Sequence, residues 1–273
     1  MKETDRLNAE EGFHDAWASE SSTEEIDIKI VNEACTAPEM RCIREALGDL
    51  KGRTLLDIGC GLGEASVYFA TLGADVTSTD LSGQMLAKTQ ELARKNHTSV
   101  RTHKATAESL NLSRNQTFDV VYAGNLFHHV DIAQTLERVT AHIQPKGMLV
   151  SWDPVAYNPL INVYRRVATK VRTEDEHPLT MRDLQLFKDR FQQVTFRWFW
   201  LSTLLIFVIM VLVQRRNPNK ERYWKAVLYE GEKWRWLYAP LERLDGVLLR
   251  LFPFLRRYCW NVVVIAQGPK AVG

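Results

Sequence analysis

From residue 54 to residue 152, short apolar runs alternate with stretches whose apolar positions recur every three or four residues. The first pattern predicts buried strands and the second predicts amphipathic helices. Strands are expected at Thr54–Ile58, Ala74–Thr79, Val100–Ala105, Phe118–Ala123 and Met148–Trp152. Helices are expected at Glu64–Leu72, Gln84–Lys95 and Ile132–Ile143, with Gly73 where the first of them ends. This β-α order implies a mostly parallel sheet with helices on both faces. Residues 1–50 read as polar and helical, and Pro38 is placed to open a helix through Leu47.

After Asp153 the pattern changes. Leu160–Val171 and Leu179–Phe191 read as helices, and Gln193–Trp198 and Cys259–Gln267 as two further strands. Between those strands runs Trp198–Val213, which holds no charge and is flanked by Arg197, Arg215 and Arg216. It is somewhat shorter than the ~20 apolar residues that cross a bilayer. From Gln214 to Arg257 there are eleven Lys/Arg against five Asp/Glu, and six of the eight tryptophans lie beyond residue 197. Tryptophan, tyrosine and basic residues together suit a membrane interface. A segment that dips into or lies on a membrane, a cover over a lipophilic ligand and a single span are the three readings. The first is preferred, with Leu204, Ile206 and Phe207 expected to hold the chain there.

Composition adds little to this picture. The chain has 273 residues, 45% hydrophobic and 25% charged, with a net charge of +2. That balance gives no reason to expect nucleic-acid binding. The four cysteines have neither CxxC nor zinc-site spacing, so free thiols are expected and no metal is. The first residues, MKETDRLNAEEGF, are polar and acidic and do not read as a secretory signal, so the cytoplasmic side is expected.

The chemistry is concentrated after the first strand. Gly59-Cys-Gly61-Leu-Gly63 lies between a strand and a helix, where glycines permit a sharp turn and close backbone approach to a ligand. Asp80 ends the second strand, where a carboxylate can accept from a ribose diol. Dinucleotide sites share this logic, but the spacing fits their GxGxxG fingerprint less well.

The ordered set resembles the class I S-adenosylmethionine-dependent methyltransferases, closest to the menaquinone/ubiquinone-biosynthesis and related small-molecule type. Asp57-Ile-Gly-Cys-Gly-Leu-Gly63 looks like their first motif and Asp80-Leu-Ser82 like their ribose-binding acid. Ala107-Glu108-Ser109 resembles their adenine loop, with Thr106 where an Asp is usual. Phe118-Asp119, Gly124-Asn-Leu-Phe-His-His129 and Pro145-Lys-Gly147 follow in the family's order. The set covers roughly Leu47 to Asp153.

This resemblance implies a Rossmann-like seven-stranded α/β sheet whose last two strands form an antiparallel hairpin. It divides the chain into a helical lid (1–50), a core (51–198), an apolar, basic, aromatic insertion (199–257) and the last strand with its tail (258–273). It implies S-adenosyl-L-methionine as cofactor, held by Asp57, Gly59, Gly61, Gly63, Asp80, Leu81, Met85, Ala107, Glu108, Asn125 and Leu126. Met85 and Leu81 read equally well as core. His128 and His129 are candidate bases, against the plainer reading of helix-start histidines bonded locally. Phe13, His14, Trp17 and His177 are candidate acceptor-side residues; Phe13–Trp17 reads equally as an amphipathic helix packed on the sheet edge, and the Arg172–His177 cluster as a solvated loop. The expected activity is methyl transfer to a small, lipophilic acceptor near a membrane. A soluble enzyme acting on a small thiol or other metabolite, and a non-catalytic cofactor-binding protein, are the alternatives. Nucleic-acid methylation is disfavoured, because Gly124-Asn-Leu-Phe127 stands where an NPPY-type tetrapeptide belongs. Nothing in the sequence sets an oligomeric state.

Overall fold

The computed structural model describes residues 3–113, 115–168, 176–219 and 221–270. The core elements are β1 (Thr54–Ile58), β2 (Asp75–Asp80), β3 (Arg101–Lys104), β4 (Phe118–Gly124), β5 (Ile143–Pro154), β6 (Phe191–Phe199) and β7 (Asn261–Pro269). Before them come α1 (Glu3–Glu20), α2 (Ile28–Glu33) and α3 (Pro38–Leu47). Among and after them lie α4 (Glu64–Thr71), α5 (Gly83–Lys95), α6 (Ile132–Ala141), α7 (Pro159–Val167), α8 (Asp183–Arg190), α9 (Leu205–Leu212), α10 (Tyr223–Tyr229) and α11 (Gly231–Leu251).

The seven strands form one sheet in the order β3-β2-β1-β4-β5-β7-β6. All pairs are parallel except β5–β7 and β6–β7, which are antiparallel. The expected α/β fold with a terminal hairpin is therefore present. Successive residues of a strand face opposite sides, and the sheet is covered on both. Leu55, Val120 and Val150 join one buried cluster with Ile43, Val67 and Phe69. Leu56, Val121 and Leu149 join another with Phe127, Leu136 and Phe187. The order of strands reverses between β1 and β4, which puts the ligand crevice at their carboxyl ends.

The insertion departs from expectation. Its apolar run is not one helix: Trp198 and Phe199 finish β6, residues 202–204 form a 3₁₀ turn, and α9 spans only eight residues. No described helix is long and apolar enough to cross a membrane. Leu204, Ile206 and Phe207, expected at the membrane, are buried with Trp200, Met210, Tyr223 and Tyr238 in a third cluster. The cause is local. Asp245 of α11 accepts from the Ser202 amide (2.8 Å), the Ser202 hydroxyl (2.5 Å) and the Thr203 hydroxyl (3.0 Å), which pins the turn and folds α9 back onto α11. Thr36 donates to the Val227 carbonyl (2.8 Å) and Lys225 pairs with Glu64 (2.9 Å), so the insertion is bound to α4 and to the α2–α3 turn.

Candidate active site

A cavity of about 340 Å³ opens at the carboxyl ends of β1, β2 and β4. The glycine loop forms one wall. Gly59, Gly61 and Gly63 all have positive φ (67°, 53° and 83°), which side chains disfavour. A Cβ on Gly63 would lie 2.6 Å from Thr89 Oγ1, so this glycine is required by packing. A Cβ on Gly61 meets nothing within 4 Å and would project into open space. Gly61 is thus the glycine whose backbone a ligand can approach.

Asp80 holds that loop in place. Its Oδ2 accepts from the Gly61 amide and its Oδ1 from the Ser82 amide, both at 2.9 Å. Burial raises its carboxyl pKa, while these two amides and the nearby His14 oppose the rise. Asp57 is 1% exposed; Ser66 donates to its Oδ2, and its Oδ1 has no hydrogen-bond partner among the described residues. Burial lifts the Asp57 carboxyl to about 7, and the charge of Asp80 adds to the lift. A buried acceptor left unpaired costs ~1–3 kcal/mol, so a donor from a ligand fits here.

Leu81, Ala107, Glu108, Asn125 and Leu126 all line this cavity. Asn125 sits in left-handed backbone (φ 58°) and its amide donates to the Trp152 carbonyl at 2.7 Å. Sparsely populated backbone of this kind collects at functional sites. Met85 does not join them: it is fully buried in the core beside Leu92 and lines no part of the cavity. The helical period that puts Ser82 at the α5 cap, accepting from the Met85 amide (3.0 Å), turns Met85 inward.

Phe13, His14 and Trp17 line the cavity from α1. Burial lowers the His14 pKa, and its Nδ1 has no partner among the described residues. His128 is 4% exposed, and its Nδ1 is 3.0 Å from Oδ1 of the buried Asp153. Burial raises the Asp153 carboxyl, against backbone amides that include His128's own. The His129 ring lies beside that of His128, with centroids 4.0 Å apart and planes tilted by 44°, and its Nδ1 is 3.5 Å from Glu10. His177 does not line the cavity; its amide donates to the His128 carbonyl (2.8 Å), which brings Glu176 to the wall instead. Ligand atoms of His128, His129 and Glu176 lie within 4.8 Å of one another, a grouping that can hold a metal ion although no sequence spacing announced it. Arg172, Thr173, Glu174 and Asp175 lie outside the described residues.

The sequence reading missed the opposite wall. Trp200, at the start of the insertion, and Trp260 and Asn261, just past its end, meet Glu39 of α3 there, with Trp152 and Tyr164. Asn261 Nδ2 donates to Glu39 Oε1 at 2.7 Å, and burial lifts the Glu39 carboxyl to about 7. The available signal was the crowding of tryptophans after residue 197.

Residues 56–151 match the model of the methyltransferase domain family. This core is a class I S-adenosylmethionine-dependent methyltransferase domain. The ubiquinone biosynthesis O-methyltransferase of Nitrobacter winogradskyi is 35% identical over 107 residues, covering 39% of this chain and 40% of that protein. Its counterpart in Nitrosomonas europaea is 33% identical over 124 residues, or 45% and 52% of the two chains. The chain thus spans only about half, or less, of the length of these curated relatives. Among solved structures, phosphoethanolamine N-methyltransferase 2 of Haemonchus contortus superposes with a TM-score of 0.55 at 16% identity, over 85% of this chain and 52% of that one. Magnesium protoporphyrin IX methyltransferase of Synechocystis PCC 6803 gives 0.51 at 14%, over 83% and 79%. At such identities the likeness is one of fold.

Proposed function

We propose that the chain moves the methyl group of S-adenosylmethionine to a small, lipophilic acceptor. The observation that carries this reading is the pairing of an open glycine backbone at Gly61 with two buried carboxylates, one of them holding an unpaired oxygen. The cofactor fits that set. Its ammonium suits Asp57 Oδ1, its ribose diol suits Asp80, and its adenine suits the wall of Leu81, Ala107 and Glu108. When bound, it supplies an electrophilic methyl on a sulfonium.

The chain's own residues then orient the acceptor and exclude water. Trp152, Trp200 and Trp260 offer flat apolar faces for a lipophilic group. Asp153 engages His128 at Nδ1, so an acceptor meets His128 through Nε2, where it takes a proton from a hydroxyl or thiol. His14, Trp17 and the rest of α1 cover the site as a lid.

The membrane side of the reading moves from α9 to α11. Trp236, Leu244, Val247 and Leu251 are exposed along one side of α11, with Arg243 and Arg250 among them and Phe254 just beyond. An apolar stripe edged by arginine fits the surface of an anionic bilayer.

Cofactor labelled in its methyl group tests the reading. Incubation of the full chain with separate lipid and aqueous extracts is expected to put label in the organic fraction. Label only in the aqueous or volatile fraction overturns the lipophilic acceptor. No transfer, despite measured cofactor binding and with both extracts supplied, favours a non-catalytic binding protein. Co-sedimentation with phosphatidylglycerol vesicles, lost on V247S/L251S/F254S, tests the α11 surface separately.

A further inference from the structure

We propose that Arg222, carried on the insertion, binds the carboxylate of the bound cofactor. This rests on the cofactor reading above. Arg222 immediately precedes α10 and lines the same cavity as the glycine loop. Its guanidinium lies 3.8 Å above the Trp17 ring centre. Stacking of this kind occupies the flat faces of the group and leaves its in-plane N–H edges for an anion. No ion pair of Arg222 is found among the described residues, whereas Lys225 one turn away is already paired with Glu64. The arginine is half-buried, and burial lowers its pKa against the charges of Glu64 and Glu20.

The surroundings make this cation conspicuous. Asp57, Glu64 and Asp80 line the cavity around the glycine loop, and all three are acids; Arg165, on α7, is the other arginine in the lining. The cofactor's ammonium, sulfonium and ribose diol are cations or donors, and they suit those acids. Its carboxylate is its one anion, and among acids alone it would be repelled. A half-buried guanidinium stacked on Trp17, with no ion pair among the described residues, has the matching need. The carboxylate therefore goes to Arg222, and each charged or donor group of the cofactor's amino-acid and ribose portions then has a complement. Because Trp17 belongs to α1 and Arg222 to the insertion, binding also ties these two segments together over the methyl-transfer domain.

Calorimetry with two ligands tests this. S-adenosylhomocysteine has both the amine and the carboxylate. Its decarboxylated analogue, S-adenosyl-3-thiopropylamine, keeps the amine and lacks the carboxylate. For R222Q, affinity for S-adenosylhomocysteine is expected to fall about ten- to a hundredfold, as for loss of hydrogen bonds to a charged group. Affinity for the decarboxylated analogue is expected to stay within about twofold. R222K is expected to recover part of the loss. Equal weakening of both ligands would mean a general structural effect and overturn the proposal, as would unchanged binding of both. If the unsubstituted protein binds neither ligand, the cofactor reading itself fails.

Discussion

Leu55-Leu56 in β1 and Ile206-Phe207 in α9 are equally apolar pairs, yet they are buried in different ways. In β1 the two neighbours enter opposite layers, each packed against helices from a different face of the sheet. In α9 both enter one small cluster, while Leu205 and Leu212 on the other side of the helix stay exposed. The sheet is a two-sided core whose strand ends present backbone to a ligand. The insertion is a one-sided core that presents side chains, Trp200 and Arg222 among them. On the proposed reading, the cofactor meets glycine amides and carboxylates of the sheet together with Arg222 of the insertion, and the acceptor meets aromatic groups that include Trp200.

The sharpest way to break this comparison is at the backbone wall. Gly61→Val adds a branched side chain at φ 53°, in the open space where the loop meets the ligand. Cofactor binding is expected to disappear in calorimetry with S-adenosylhomocysteine. Unchanged affinity would show that the loop is not the cofactor's wall.

The insertion is tested through its packing. Phe207→Ala is expected to destabilise the chain by ~3–5 kcal/mol in denaturant unfolding, the usual loss for a buried phenylalanine. Leu212→Ser, at a position 71% exposed, is expected to stay within ~0.5 kcal/mol. If Phe207→Ala were as mild as Leu212→Ser, the insertion would not be a core of its own.

His128 probes the seam between the two halves. His128→Gln keeps a polar side chain beside Asp153 and removes the base. The rate of methyl transfer is expected to fall about a hundredfold with cofactor affinity unchanged. A fall in affinity with an intact rate would make His128 a structural residue.

The two halves also differed in how much the sequence disclosed. Strands β1 to β4 and their helices lay within a residue or two of the expected bounds, because each alternation is short and both faces are apolar. The lining role of Gly61, Asp80, Asn125 and Leu126 followed from position at strand ends. Met85 did not follow, since one helical turn decides between core and wall and periodicity alone leaves both open. The α9 run was misread because charge-free sequence looks alike whether it meets lipid or protein. The residue that decides it is Asp245, more than thirty positions away, which no local pattern connects to Ser202. Glu39–Asn261 and Trp17–Arg222 are invisible for the same reason: each joins segments about two hundred residues apart.

The smallest expected effect discriminates most finely within the cofactor half. Burial lifts the Asp57 carboxyl to about 7, so it is neutral below that pH and ionised above it. The cofactor's ammonium pairs with the ionised form. Affinity for S-adenosylhomocysteine should therefore level off above pH 7 and weaken below it, approaching about tenfold per pH unit. The bound ammonium favours the ionised carboxylate, so binding at pH 6 should release a proton, visible as a heat that varies with the ionisation enthalpy of the buffer. Glu39 also titrates near 7, but it lies on the insertion's wall, and measurement without an acceptor keeps it out of the balance. Asp80 is raised too, yet both its oxygens already accept backbone amides. Asp57→Asn should accordingly flatten most of the slope. A slope that survives Asp57→Asn would move the titrating group elsewhere and remove Asp57 as the partner of the ammonium.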